Sequence, residues 1–117
     1  MTVVMRLAQY YHELTLWLQR TTGQTDTVLH IHAGLAILVV ARLCTRRSFG
    51  SFAPFAFVAF AELANEALDR VVAGGWPVVD TGTDLLNTLF WPFAISLGVR
   101  LRPMMLKDRP RVEALRR

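Results

Sequence analysis

At 117 residues the chain forms one domain at most. It is 53% apolar and 19% charged, where an average soluble domain carries about 25% charge, so the composition weighs against a water-soluble bundle. The net charge of +4 does not point to nucleic acid: Arg100, Arg102, Lys107, Arg109, Arg111, Arg116 and Arg117 form a tail behind an apolar segment, and such a tail attracts anionic headgroups at about 1 kcal/mol per residue.

Residues 3–22 have a helical period. Val3, Leu7, Tyr10, Tyr11, Leu14, Trp17 and Leu18 share one face, Arg6, Gln9, Glu13 and Arg20 the other, with Leu16 as the exception. A two-faced helix with Tyr and Trp on its apolar side lies along a membrane surface. Thr21, Thr22 and Gly23 end it. The opening residues lack the basic start, compact apolar run and cleavage site of a secretory signal. Insertion is therefore expected to depend on the later apolar segments.

Three such segments follow, at 27–45, 52–73 and 81–100. Thr25 or Asp26 can cap the first, whose centre from Ala33 to Ala41 is wholly apolar. Ser51 can cap the second, with Pro54 in its first turn, and Gly74-Gly75 stop it. Trp76-Pro77 mark a turn, and Thr81 or Thr83 can cap the third. Each segment approaches the roughly 20 residues needed to cross a bilayer. The expected fold is an all-α integral membrane protein: an amphipathic interfacial helix, three transmembrane helices, and a basic tail over 101–117. Cys44 stands alone, so no internal disulfide forms.

The basic residues also set an orientation. Arg42, Arg46, Arg47 and the seven tail residues fall on one side, and Arg6, Arg20 and Arg70 on the other. The positive-inside bias puts the tail in the cytoplasm and the Gly74-Gly75 loop outside. The expected location is a bacterial plasma (inner) membrane.

The polar residues inside these segments need a reason. Glu62, Asn65, Glu66 and Asp69 lie within about a 100° arc of their helix, opposite Phe57 and Phe60. Asp80, Asp84, Asn87, Thr88 and Trp91 share a face of the next helix. His30, one turn beyond Asp26, sits at the same outer level, while His32 points away from it. Glu62 lies near mid-bilayer, where an unpaired acid costs about 2.5–3.5 kcal/mol. It is therefore expected to face the bundle interior and pair, or to stay protonated. Asp84 is either a helix cap or part of a site, and Asn65 and Asn87 either bind or hold helices together. Clustered carboxylates with an imidazole suit a divalent cation, with Glu62, Glu66 and Asp84 as candidate ligands. No nucleophile motif, phosphate-cradling loop or Cys/His ligand spacing accompanies them.

The run Asp26-x-x-x-His30, Glu62-x-x-Asn65, Arg70 and Asp84-Leu-Leu-Asn87-Thr88 resembles the VanZ-like family of small membrane proteins over residues 26–96. Asn65 stands where that family has Gln, and no Lys follows Asp26. The resemblance implies a membrane protein linked in some members to glycopeptide resistance. Glu62-Leu-Ala-Asn65-Glu-Ala-Leu-Asp69 is also similar to a motif of prokaryotic diacylglycerol kinase. That likeness implies magnesium-ATP binding at Glu62, Asn65 and Asp69, although the charge bias puts them on the outer side.

The reading that follows is a small polytopic accessory subunit. Its polar intramembrane face (His30, Glu62, Asn65, Glu66, Asp69, Asp84 and Asn87) docks a partner membrane protein, a lipid headgroup or a second copy. The alternative is a membrane enzyme or a cation- or proton-binding protein using the same carboxylates at the outer face.

Overall fold

The computed structural model describes residues 2–75 and 78–107. The expected Trp76-Pro77 turn and the tail from residue 108 lie outside the described residues. Those described form four α-helices and one short 3₁₀ turn, with no strand among them.

Helix α1 (Val3–Thr22) starts where the Thr2 side chain accepts from Met5 N–H, and ends at Gly23 in the left-handed conformation, φ 66°. Helix α2 (Asp26–Thr45) is capped in the same way by Thr25, and Asp26 in its first turn complements the helix dipole. It ends at Arg46, held at φ 54° without the freedom of a glycine. The 3₁₀ turn Phe49–Ser51 then leads to Phe52, also left-handed. Ser51 is therefore not the cap of α3 (Ala53–Ala73). Phe52 occupies that position with no side-chain capping bond, and Pro54 sits in the first turn. Gly74 closes α3 at φ 67°.

Helix α4 runs Val78–Lys107, longer at both ends than the expected 81–100. Thr83 is inside it, its hydroxyl donating to the Val79 carbonyl, so neither Thr81 nor Thr83 caps the helix. The first residues of the expected tail continue the same helix through Pro103.

Helices α2, α3 and α4 pack against one another in an up–down–up arrangement, and α1, whose buried residue is Ala8, lies on α3. At one end Phe52, Phe55 and Phe93 cluster, and the Arg100 guanidinium lies over the Phe52 ring. Here the 3₁₀ turn presses on α4, and a Cβ on Gly50 would lie 3.2 Å from the Arg100 backbone. Near the other end α2 and α4 touch through Gly34 and the Thr88 carbonyl, where a Cβ would overlap the oxygen. Pro92 lies four residues beyond Thr88 and has no N–H to give that carbonyl.

What is inside and what is outside run against the soluble pattern. Leu38, Ala41 and Val58 are buried, but so are Glu62, Glu66, Thr88 and Ser96. Phe60 is 74% exposed and Leu43 69%, and Phe57, Leu63, Leu86, Phe90 and Trp91 also face outward. On α1 the stripe Val3, Leu7, Tyr10, Leu14 and Trp17 is exposed as well. Among the described residues α2 is the one helix long and apolar enough to cross a membrane by length and composition. In α3 the acids Glu62, Glu66 and Asp69 with Arg70, and in α4 Asp84, Asn87 and Pro92, interrupt the apolar run.

Candidate functional site

The antiparallel course of α3 brings its C-terminal half beside the first turns of α2 and α4. His30, projecting from α2, is the point at which they meet. Its two ring nitrogens face different surroundings. Nε2 lies 3.5 Å from Asp26 Oδ2 and 3.8 Å from Asp84 Oδ1. Nδ1 lies 3.0 Å from Thr88 Oγ1 and 3.3 Å from Glu62 Oε1. A ring nitrogen has one hydrogen-bond direction, and Thr88 takes it. Glu62 Oε1 is close enough for charge attraction, yet it accepts no hydrogen bond.

Burial grades the site from rim to depth. The Asp26 side chain is 48% exposed, Asp84 19%, His30 13% and Glu62 5%. Asp26 is also held from outside, because its Oδ1 accepts from Gln19 Nε2 of α1 at 2.9 Å. Deeper on α3, Glu66 is buried with its Oε1 unpartnered. If the three carboxylates around the imidazole, Asp26, Glu62 and Asp84, ionise, a protonated His30 balances one of three negative charges. Unpaired charge in a low-dielectric interior is costly, so the cluster favours a positive guest or bound protons.

The remaining polar residues divide. The Tyr11 hydroxyl of α1 donates to Asn65 Oδ1, which ties α1 to α3. Burial, followed by the Asp69 and Glu62 charges, raises the Tyr11 phenol above its ordinary value of 10.0. Asp69 is half-buried. Asn65 Nδ2 and Asn87 Nδ2 are buried with no protein partner. Asp80 and Trp91 are exposed and do not join the cluster. His32 bonds the Val28 carbonyl of its own helix instead.

Of the ligands expected from sequence, Asp84 alone belongs to the trio Asp26, His30 and Asp84, whose ligand atoms lie within 4.8 Å of one another. Glu62 is on the far side of the imidazole, and Glu66 is outside the trio. Thr88, which shares the polar face of its helix with Asp84, enters as the partner of His30 Nδ1, and Gln19 enters as a supporting group that no motif marks. The i, i+4 spacing of Asp26 and His30 was the available signal for Asp26, which reads equally well as a helix-start residue.

No protein-family model matches the chain, and no curated protein or solved structure is detectably similar to it.

Proposed function

We propose that the chain is a small polytopic membrane protein that binds a positively charged ligand at the outer end of its bundle. Helices α2, α3 and α4 span, and α1 lies on the outer surface. One observation carries this reading: carboxylates point inward around His30 while large apolar side chains point outward. Helices solvated by lipid can expose Phe60, Leu43 and Leu86 at no cost and must hide Glu62 and Glu66. That division also accounts for the low mean hydropathy of α3 and α4, since an average over a helix counts its inward acids as if they met the solvent.

Two ligand sources offer the required charge, a metal dication or the amine of a lipid headgroup. Docking of a partner protein or second copy draws less support, because Glu62, Glu66 and Thr88 are covered by the chain's own helices. The kinase-like reading is weaker for a similar reason: Glu62 contacts His30 whereas Asn65 bonds Tyr11, so the two do not converge. The VanZ-like resemblance rests partly on His30 and on Asp26, Glu62 and Asp84, the three acids around its imidazole.

The test has two parts. Gly75→Cys in intact cells should react with an impermeant thiol reagent, and a reporter after Arg117 should read cytoplasmic. In mild detergent, a dication or an ethanolamine headgroup should raise the unfolding midpoint of the wild type, and at the same concentration raise that of Glu62→Gln less. Labelling from the cytoplasmic side only, or no response to any cationic ligand, would refute the proposal.

A further inference from the structure

We infer that Asp26, His30 and Asp84 form a zinc-type site, a first-row transition dication held by two carboxylates and one imidazole with an open fourth position. The inference rests on the cation-binding reading above and names its ligand.

Spacing is the first ground. The Nε2–Oδ2 and Nε2–Oδ1 separations of 3.5 and 3.8 Å are edges of a ligand polyhedron. Four ligands at bond lengths of 2.0–2.2 Å in a tetrahedron stand about 3.4 Å apart. The two edges from Nε2 depart from that by a few tenths of an ångström at most, and the Asp26–Asp84 edge, within 4.8 Å, closes by rotation of the two carboxylates. Asp26 and His30 lie one helical turn apart on α2, and Asp84 closes the triangle from α4.

The second ground is what stands behind the ligands. Metal-bound imidazoles use the other ring nitrogen to hold their tautomer. His30 does so: with the proton on Nδ1, hydrogen-bonded to Thr88 Oγ1, the Nε2 lone pair faces Asp26 and Asp84. Asp26 is oriented likewise, its Oδ1 engaged by Gln19 so that Oδ2 is left for the site.

Glu62 supplies the third, independent ground. It is 95% buried, and its Oε1 has no hydrogen-bond partner while lying 3.3 Å from His30 Nδ1. A neutral imidazole with nothing on Nε2 offers that carboxylate no full positive charge, whereas a proton or a cation at Nε2 does. A dication on Nε2 polarises the ring and places positive charge where Glu62 is aimed.

The donor set then selects the metal. Magnesium and calcium prefer six or more oxygen ligands, whereas imidazole with carboxylates suits zinc, and manganese or iron less tightly. Asp26 is the exposed corner, so the fourth position opens toward the rim, where a water or a ligand oxygen can enter.

The experiment uses the full chain without a histidine tag, purified in mild detergent and stripped with chelator. Equilibrium dialysis should give one zinc per chain, at least 100-fold tighter than magnesium or calcium. Cobalt should produce the intense visible bands of a four-coordinate site. Asp84→Asn should abolish zinc binding. Glu62→Gln and Gln19→Ala, which spare the ligands, should weaken it 10- to 100-fold, and His32→Gln should leave it unchanged. Should Asp84→Asn fail to fold, the cobalt spectrum and the Glu62 and Gln19 variants still decide. Equal affinity for magnesium, a six-coordinate cobalt spectrum, or zinc binding insensitive to Glu62 and Gln19 would overturn the site. A headgroup amine that stabilises the wild type without any zinc uptake would overturn the metal and leave the cation-binding reading standing; no response to either would remove both.

Discussion

Replacing Gly34 by alanine tests the closest contact in the bundle. The added Cβ would overlap the Thr88 carbonyl oxygen and lie 3.2 Å from the carbonyl carbon and from Thr88 Cγ2. Two of these atoms are backbone, so relief requires α2 and α4 to separate and not a rotamer change. Overpacking of this kind costs about 1–3 kcal/mol. The same separation acts on the site, since His30 is one turn from Gly34 and Asp84 one turn from Thr88. Their 3.8 Å contact is already long, and an added half ångström takes it past 4 Å. Gly98→Ala is the matched control: a Cβ there meets nothing, and alanine is favoured over glycine in a helix by about 0.5–1 kcal/mol. Unfolding in mixed mild and denaturing detergent should place Gly34→Ala below and Gly98→Ala at or above the wild type, with cation-induced stabilisation reduced in the first alone. Equal midpoints for the two variants would show that the α2–α4 contact does not bear on stability.

Tyr11→Phe should loosen α1 by about 1 kcal/mol by removing the donor to Asn65, seen as faster proteolysis between α1 and α2. Because the fold raises the Tyr11 pKa, its contribution is complete below pH 10 and is lost as the pH rises through the higher folded value, so α1 should undock only in that alkaline range, alongside tyrosinate absorbance. Thr88→Val keeps the shape but removes the hydroxyl paired with His30 Nδ1; a loss of about 1 kcal/mol in the same unfolding assay is expected. Leu38→Ala, at a site 1% exposed, should cost about 2–5 kcal/mol, whereas Leu43→Ala on the outer face should cost far less; similar losses at both would contradict the assignment of inside and outside.

Much of the helical framework is written in local signals. Thr25, Gly23 and Gly74 sit where caps are required, and the arc of α3 opposite Phe57 and Phe60 is the one that carries Glu62 and Glu66 into the interior. Helix ends without such signals are less legible. Asp80, Thr81 and Thr83 look like a start in sequence, but α4 is already helical from Val78 and absorbs them. Ser51 resembles a cap until the 3₁₀ turn uses its hydroxyl to bond the Ser48 carbonyl. The site was partly visible, because helical spacing relates residues on one helix but says nothing about the register between helices. His30 and Asp84 could be put at one level; that Nε2 meets Asp84 while Nδ1 meets Thr88 depends on how closely Gly34 lets α2 approach α4. The Gln19–Asp26 and Tyr11–Asn65 bonds depend on the way α1 folds back over the bundle, which no pattern within α1 encodes.

Pro92 gives the long fourth helix a pivot. The missing bond to the Thr88 carbonyl removes one strut from α4 at a point where bending costs less than elsewhere along it. Below the pivot, Phe93 and Arg100 are pinned by Phe52, Phe55 and the 3₁₀ turn; above it, Asp84 rides on a lever arm of about 12 Å. A bend of about 10° at Pro92 therefore swings Asp84 through about 2 Å, enough to open or close its contact with His30, while Thr88, half as far from the fulcrum, moves about 1 Å against Gly34.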